Sequence, residues 1–267
     1  MKMRQLSYSY ITCCMRILFI FWFDLLLANP QNCAICLQQL DSTFSIDAWG
    51  NSFHTKHEDE GIFCHSCSRI ISQGVTQGGY YYQDGRHLCS LCITTAINDD
   101  STMQAAYESV LLQFYTAGIL DAAKDIPISL VDIHQLNHEA GKLSHAELKG
   151  FTRIKVINTI IQSENKFHIL ILSGLPRIEF QAVLAHELLH IWLHQNQIRL
   201  SPEAEEGFCN LGRYLIYEND QTQFSIIHLR AMEKDPDPIY GKEYRKMKVH
   251  LKQKGWNNLI SYLMYYH

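Results

Sequence analysis

The chain carries the motif His186-Glu187-Leu188-Leu189-His190 within an apolar run that extends from residue 182 to 193. Arg177 to Gln195 contains no Gly or Pro, and Pro176 precedes it, so this segment is predicted to be one helix. Positions i and i+4 share a helix face, so both histidines can bind one zinc ion. The glutamate is then placed to hold a water molecule on that zinc. The alternative is a packed helix with two ordinary buried histidines.

A second helix is predicted a few residues further on. Ser201 is a suitable N-cap and Pro202 suits the first turn, so Glu205 and Glu206 fall near the start of this helix. A Glu-Gly-aromatic step after H-E-x-x-H resembles the zinc peptidases whose third ligand is glutamate. By this resemblance Glu206 is the third zinc ligand. Glu205 is then the candidate to form a hydrogen bond with one of the zinc-binding side chains, although the roles of Glu205 and Glu206 could be exchanged.

The composition describes a globular protein. The chain has 267 residues, of which 47% are hydrophobic and 19% charged, which excludes a disordered or fibrous protein. This length suits one large domain or two smaller ones. The formal net charge is −4, and the Lys/Arg group in 242–254 is interpreted as a solvated helix face. No nucleic-acid partner is therefore predicted.

Three C-x-x-C pairs and one histidine pair lie between residues 33 and 92. Each short pair can offer two adjacent zinc ligands, and eight ligands make two tetrahedral structural sites. In chain order the first site is Cys33, Cys36, His54 and His57, and the second is Cys64, Cys67, Cys89 and Cys92. This arrangement resembles a LIM domain, in which two zinc fingers are stacked end to end. It departs from the usual pattern in the six-residue gap between the fingers and in the histidine at position 57, which His65 could replace.

The cysteines have other interpretations. Disulfides are possible if the chain is exported. A thioredoxin-like redox centre is disfavoured because no βαβ pattern surrounds any pair. Structural zinc is preferred because the histidine pair falls at ligand spacing between cysteine pairs. The lone Cys209 is predicted to be a small buried packing residue.

Residues 1–28 are predicted to be a signal peptide. Arg16 precedes a twelve-residue apolar stretch that ends at the small residue Ala28, which is short for a membrane span. Asp24 interrupts this core, so a retained membrane anchor or a buried helix are the alternatives. The expected location is therefore periplasmic or secreted, with a membrane-anchored or cytoplasmic protein as the alternative. The prediction of export conflicts with the prediction of zinc-bound cysteines, because an oxidising compartment favours disulfides.

The fold class is predicted to be α+β, with a LIM-like module at 33–98 and a second domain at 99–267. We expect a hairpin turn at Asp84-Gly85, a bridging helix at Thr102–Ala117, a short strand at Ile128–Val131 and a loop from Asn137 to Gly150. The other predicted elements are a hairpin of Phe151–Ile161 and Phe167–Leu172 with its turn at Ser163–Lys166, and helices at Thr222–Lys234, Lys242–Lys254 and Trp256–Tyr265.

Several stretches together resemble the LIM-containing DA-one family of zinc metallopeptidases, which includes plant regulators of organ size and short bacterial relatives. The resemblance extends from about residue 33 to the C-terminus. It implies a mainly helical zincin-type (gluzincin-like) domain with a small β-sheet, whose edge strand holds an extended substrate. No ubiquitin-interacting helix is seen, since the acidic run Glu58-Asp59-Glu60 is too short, so ubiquitin control is not predicted. The matching stretches are Asp84-Gly85-Arg86-x-Leu88-Cys89-x-x-Cys92, Leu170-Ile171-Leu172-x-Gly174-Leu175-Pro176-Arg177, Leu184-Ala185-His186-Glu187-x-x-His190-x-Trp192, Glu205-Glu206-Gly207-x-Cys209 and Asp235-Pro236-x-Pro238-x-Tyr240-Gly241.

The expected activity is zinc-dependent cleavage of a protein or peptide substrate, with one catalytic and two structural zinc ions. Glu187 is the expected general base. Tyr240 is the candidate donor to the oxyanion, with Tyr214, Tyr217 and His228 as rivals. Trp192 and His194 are expected to pack against other side chains and not to take part in the reaction. Contact with a membrane is expected only through the leader, if it is not cleaved. The rival hypothesis is a non-catalytic, zinc-stabilised interaction module whose peptidase half is a scaffold.

Overall fold

The computed structural model describes residues 32–141, 148–158 and 163–266. The predicted leader at 1–28 lies outside these residues. The chain divides into two compact units, one that ends at Gly61 and one that begins at Ile62. No helix within the described ranges is long and apolar enough to cross a membrane. The predicted domain boundary after residue 98 stays a prediction.

The first unit is a small hairpin with one helical turn. Strand β1 (Phe44–Ile46) pairs antiparallel with β2 (Ser52–His54), and α1 spans His57–Glu60. Among the described residues of this unit, the only buried side chains of hydrophobic type are those of Cys33 and Phe53. A core this small cannot by itself offset the entropy of ordering the chain, so the fold needs another source of stability, such as a metal.

The second unit begins with a similar hairpin. Strands β3 (Gly79–Tyr81) and β4 (His87–Cys89) pair antiparallel around the predicted turn, which confirms that hairpin. Two single-turn helices flank it, α2 (Gln73–Thr76) and α3 (Ser90–Ile93). The bridging helix α4 spans Asp100–Ala117 and begins two residues before the predicted start.

A three-stranded sheet follows, with strand order β5-β7-β6. Strand β5 (Ile128–Val131), which has the predicted bounds, runs parallel to β7 (Ser163–Leu172), and β6 (Gly150–Asn158) runs antiparallel to β7. Strand β6 is therefore an edge of the sheet.

Two predictions in this region are wrong. The turn expected at Ser163–Lys166 is instead the first part of β7, since Asn158 pairs with Ser163. Polar composition alone did not distinguish a turn from a paired strand. The loop expected from Asn137 to Gly150 is helical at its start, because α5 spans Ile133–Ala140. Asp132 is the N-cap of this helix and accepts a hydrogen bond from the Gln135 N–H at 2.7 Å. The loop prediction did not take this capping residue into account.

Four helices complete the fold and confirm the predicted helical segments. Helix α6 spans Arg177–Gln195, α7 spans Pro202–Asp220, α8 spans Gln223–Lys234 and α9 spans Tyr240–Tyr266. Helix α9 combines two predicted helices across a kink at Gly255, where φ is 74°. Ser201 caps α7 through a hydrogen bond from the Ala204 N–H. The mixture of small sheets and helices confirms the α+β class.

Helix α6 occupies the centre of the core of the second unit. The consecutive residues 179–185 are all buried, and α4, α7, β6 and β7 all contact this helix. Burial on every side explains why the segment reads as almost continuously apolar. The polar side chains that α6 carries inward therefore need specific partners.

Candidate metal-binding sites

Helices α6 and α7 approach closely, and a glycine makes this possible. A Cβ atom added at Gly212 would lie 2.7 Å from the carbonyl oxygen of Ala185, closer than a real side chain tolerates. The crossing therefore requires a residue without a side chain. It brings the first turns of α7 against the middle of α6, where the H-E-x-x-H motif lies.

The predicted triad converges at this crossing. The Nε2 atoms of His186 and His190 lie 3.1 Å apart. The Glu206 carboxylate lies 3.3 Å from His186 Nε2 and 3.6 Å from His190 Nε2. One ligand atom from each residue falls within 4.8 Å of the others, which is a group that could hold a metal ion.

The adjacent glutamate faces the other side of the ring. Glu205 Oε1 lies 2.8 Å from His190 Nδ1 and orients the ring so that Nε2 faces Glu206. Burial alone would lower the pKa of His190, but Cys209, Glu205 and Glu187 raise it well above its ordinary value. The groups around this ring therefore favour positive charge on His190.

Glu187 is buried beside the triad and has a partner that the sequence did not reveal. The Thr152 hydroxyl on β6 donates a hydrogen bond to Glu187 Oε2 at 2.7 Å. A second contact between the same strand end and α6 is the ion pair of Lys149 and Glu179, with Nζ and Oε1 2.6 Å apart. The sequence does not predict the roles of Lys149 and Thr152, because each lies about 30 or more residues from the glutamate that it contacts.

Tyr240 is the first residue of α9, and the charge of Glu206 acts on its hydroxyl. Burial raises the pKa of Tyr240, and the negative charges of Glu206 and Asp237 raise it further. For the rival Tyr214, burial raises the pKa to about 12, and the charges that add to this effect are Glu218 and Glu233. Tyr240 is therefore the tyrosine whose surroundings include a triad residue.

The other rivals and the two expected packing residues have neighbours outside the triad. Tyr217 stacks on His228 with ring centroids 5.1 Å apart. Trp192 packs against Phe208, and His194 meets Phe167 edge to face.

The first finger brings together Cys33, Cys36, His54 and His57. His54 Nε2 donates to the Gln39 carbonyl at 2.9 Å, which leaves Nδ1 facing Cys36 Sγ at 3.4 Å. His57 Nδ1 faces Glu60, while its Nε2 is buried without a hydrogen-bond partner among the described residues. Each ring thus directs one nitrogen to a partner and leaves the other for a metal.

The alternative ligand His65 is used elsewhere. Its Nδ1 accepts a hydrogen bond from the His87 N–H at 2.9 Å, in the second unit. The structure groups His57, and not this residue, with the first finger.

The second finger brings together Cys64, Cys67, Cys89 and Cys92, all buried. Cys67 and Cys89 sulfurs lie 3.8 Å apart, and the Cys89 N–H donates to Cys64 Sγ at 3.3 Å. A hydrogen bond from the Cys67 thiol is the main cause that lowers the pKa of Cys64 to about 6. A thiolate is the form that binds zinc. All seven cysteines in the described part of the chain are free thiols.

The turns that carry Cys33/Cys36 and Cys64/Cys67 share one backbone pattern. The Cys33 N–H bonds to the Gln38 carbonyl and the Leu37 N–H to the Cys33 carbonyl. In the second finger the Cys64 N–H bonds to the Arg69 carbonyl, and the Ser68 N–H returns to Cys64 in the same way. The repeated turn fits a LIM-like module of two fingers.

The fold and these groups define an α+β protein with a LIM-like module and three side-chain groups able to bind metal. The family model described as DA1-like, Protein DA1, matches residues 146–228. These comparisons support the DA1 (DA-one) family, which the sequence resemblance predicted.

Curated relatives extend this match beyond the family model. Protein DA1-related 2 of Arabidopsis thaliana is 31% identical over 202 residues, which cover 64% of this chain and 38% of the relative. LIM domain-containing protein HDR3 of Oryza sativa subsp. japonica is 29% identical over 231 residues, which cover 73% of this chain and 45% of the relative. Protein DA1 of Arabidopsis thaliana is 28% identical over 193 residues, which cover 61% and 36%. The chain thus spans less than half the length of these relatives. No solved structure gives a significant match.

Proposed function

We propose that the chain is a zinc-dependent endopeptidase with a zincin-type second domain. The observation that carries this proposal is the convergence of His186, His190 and Glu206 beside the buried Glu187. Two imidazoles and one glutamate form the ligand set of catalytic zinc sites that keep a position open for water. The hydrogen bond that Glu205 accepts from His190 Nδ1 supports the same assignment, since such partners fix the ring of a zinc ligand.

Bound zinc would lower the pKa of its water to about 7 and polarise the substrate carbonyl. The residues of the chain supply the rest. Glu187 accepts a proton from the attacking water and then delivers it to the leaving amine. The Tyr240 hydroxyl, whose raised pKa keeps it protonated, donates a hydrogen bond to the developing oxyanion.

The substrate is proposed to be an extended segment of a protein. Strand β6 is an edge of the sheet and lies beside α6, with Thr152 in contact with Glu187. An edge strand offers unpaired N–H and C=O groups that can add one more strand from a peptide. A chain paired with β6 would carry its scissile bond past the base.

The two fingers are proposed to hold one structural zinc ion each and to serve different purposes. The second finger contacts the connection before α6, because Arg86 donates to the Ser173 carbonyl at 2.9 Å and the Arg177 N–H donates to Thr95. This finger is proposed to support the catalytic helix. The first finger belongs to the other compact unit and is proposed to recruit protein substrates.

The test is proteolysis of casein by the wild-type chain and by Glu187→Gln. Loss of the general base is expected to lower the rate by about 10²- to 10⁴-fold. Glu108→Gln on the exposed face of α4 is the matched control and is expected to keep wild-type activity. Equal turnover by wild type and Glu187→Gln would exclude the peptidase and favour the zinc-stabilised interaction module.

Export through the predicted leader is a separate proposal. A reporter fused to residues 1–28 should be found outside the cytoplasm of a bacterial host. Retention of the reporter in the cytoplasm would exclude the signal peptide.

A further inference from the structure

Glu187 is held by a strand that comes before it in the chain. The Thr152 hydroxyl lies 2.7 Å from Glu187 Oε2 and 3.3 Å from the Glu187 carbonyl oxygen. A hydroxyl has one proton, and the shorter of the two contacts indicates that it donates to the carboxylate oxygen. Because Glu187 is only 6% exposed, protein groups and not bulk water orient its carboxylate.

We propose that Thr152 is the positioning residue of the general base. It fixes Glu187 Oε2 and thereby leaves Oε1 as the oxygen that takes the proton from water. This inference rests on the proposed peptidase function. A carboxylate oxygen that already accepts a hydrogen bond is the poorer proton acceptor of the two, so the bond also selects the reactive oxygen.

The close approach of β6 to the base supports this role. A Cβ atom added at Gly150 would lie 2.5 Å from Val183 Cγ1 and 2.8 Å from Glu187 Oε1. Strand β6 therefore passes as close to α6 as its backbone allows. Any residue larger than glycine at position 150 would place its Cβ atom against Glu187 Oε1, so the glycine keeps this side of the carboxylate free of a side chain from β6.

A second contact holds the same strand end on the same helix. Lys149 Nζ lies 2.6 Å from Glu179 Oε1, and the Glu179 side chain is fully buried. Glu179 and Glu187 lie about two turns apart on α6, and Lys149 and Thr152 lie three residues apart in the chain. Two fixed points on both elements define the position of β6, so the Thr152 hydroxyl reaches the base without relying on a mobile loop.

The experiment compares Thr152→Val, which removes the hydroxyl at constant shape, with Thr152→Ser, which keeps it. With a short fluorogenic peptide we expect Thr152→Val to lower kcat by about 10- to 100-fold and to change KM by less than about threefold. Thr152→Ser should retain kcat within about threefold of wild type. Both variants should keep the wild-type zinc content and Tm.

Calorimetry with a peptidyl hydroxamate gives a readout other than activity. This probe binds the metal and hydrogen-bonds the neighbouring carboxylate, so its affinity reports the orientation of Glu187. Thr152→Val should bind it about 10-fold more weakly than wild type or Thr152→Ser.

The outcomes separate this inference from the proposed function. If wild type is active, Glu187→Gln is inactive and Thr152→Val equals wild type in both assays, the positioning role is wrong and the peptidase stands. Equal impairment of Thr152→Val and Thr152→Ser would mean that the side chain only packs. If wild type neither cleaves peptide nor binds the hydroxamate, the peptidase itself fails and the positioning role with it.

Discussion

Glu205 and Glu206 are adjacent in the chain but face different atoms of the metal-binding group. Consecutive positions on a helix point about 100° apart, so Glu206 meets both histidine Nε2 atoms while Glu205 reaches Nδ1 of His190 from behind. From the sequence, Glu206 was preferred as the third ligand only by resemblance, because both glutamates lie near the start of one helix. The geometry gives a physical basis for the choice.

Substitutions at these two positions should therefore differ in kind. Glu206→Ala removes a ligand and should abolish binding of the catalytic zinc, whereas Glu205→Ala should weaken it by about 10- to 100-fold. Glu205→Gln can still accept the hydrogen bond from His190 and should stay close to wild type. Competition with a chelator measures the affinity. Zinc retained by Glu206→Ala and lost by Glu205→Ala would exchange the two roles.

His228 gives a prediction about pH. Burial lowers its pKa from 6.5 to about 4, so the folded state keeps this ring neutral while the unfolded chain takes up a proton near pH 6.5. Stability is thus fully present above about pH 6.5 and is lost as pH falls toward 4. Between pH 7.5 and 5 the loss should be about 2 kcal/mol.

His228→Phe is the matched variant, because phenylalanine can keep the ring contacts with Tyr217 and Phe224 but cannot titrate. Urea unfolding at both pH values, with zinc in all buffers, should show a smaller loss in the variant by that amount. The same loss in both proteins would mean that His228 does not control the acid sensitivity.

Local features of the site follow from the sequence, and contacts between distant elements do not. The histidines of α6 could be predicted because their spacing and their helix are local features. Thr152 and Lys149 could not, because a threonine and a lysine in a strand have no distinctive pattern. Their roles arise only when β6 is packed on α6. A buried glutamate in an apolar helix, such as Glu179, was the available signal that a distant cation must be present.

The elements around the site were predictable where capping and periodicity were strong. The bounds of α6 match the prediction because Pro176 marks its start and no breaker interrupts it. The turn of the β6–β7 hairpin was misplaced because β7 begins with polar residues that also suit a turn. Pairing between strands is a non-local property, and composition alone does not determine its register.

Arg86 joins the β3–β4 hairpin to the residues that link β7 to α6. This side chain is 3% exposed, pairs with the buried Asp84 at 2.8 Å and donates to the Ser173 carbonyl. Arg86→Ala should cost about 3–5 kcal/mol, because the buried carboxylate loses its charged partner and keeps only the backbone N–H groups of Ile133 and Arg86. Arg153→Ala removes a more exposed ion pair with Glu139 and should cost less than about 1 kcal/mol.

Thermal or urea unfolding of the two arginine variants provides the measurement. Asp84→Asn combined with Arg86→Ala should recover part of the loss, because no charge is then left without its partner. Similar stability of the two single arginine variants would mean that the hairpin is not anchored by this pair.

In the whole molecule, the division between compact units falls between the two fingers. The sequence could predict the ligands of each finger, because they follow from spacing. It could not predict that the second finger would pack with the helices that follow, since this depends on contacts such as the Ile97 N–H with the Leu175 carbonyl. The two fingers should therefore respond differently to loss of their metals.

Cys33→Ser with Cys36→Ser should leave cleavage of a small peptide within about twofold of wild type. Cys64→Ser with Cys67→Ser should abolish it, because the loss of this metal unfolds the finger that contacts the connection before α6. The measurement is the rate at which the wild type and the two double variants cleave one fluorogenic peptide. Equal loss in both double variants would show that both fingers support the catalytic domain, and equal activity would show that neither does.

The most direct measurement is elemental analysis of zinc in purified residues 29–267 and in the same protein with His190→Ala. It gives the number of zinc ions per chain. The proposed sites predict three zinc ions in the wild type and two in the variant, with the loss confined to the group of His186, His190 and Glu206. Two zinc ions in both proteins would contradict the catalytic centre and leave only the LIM-like module.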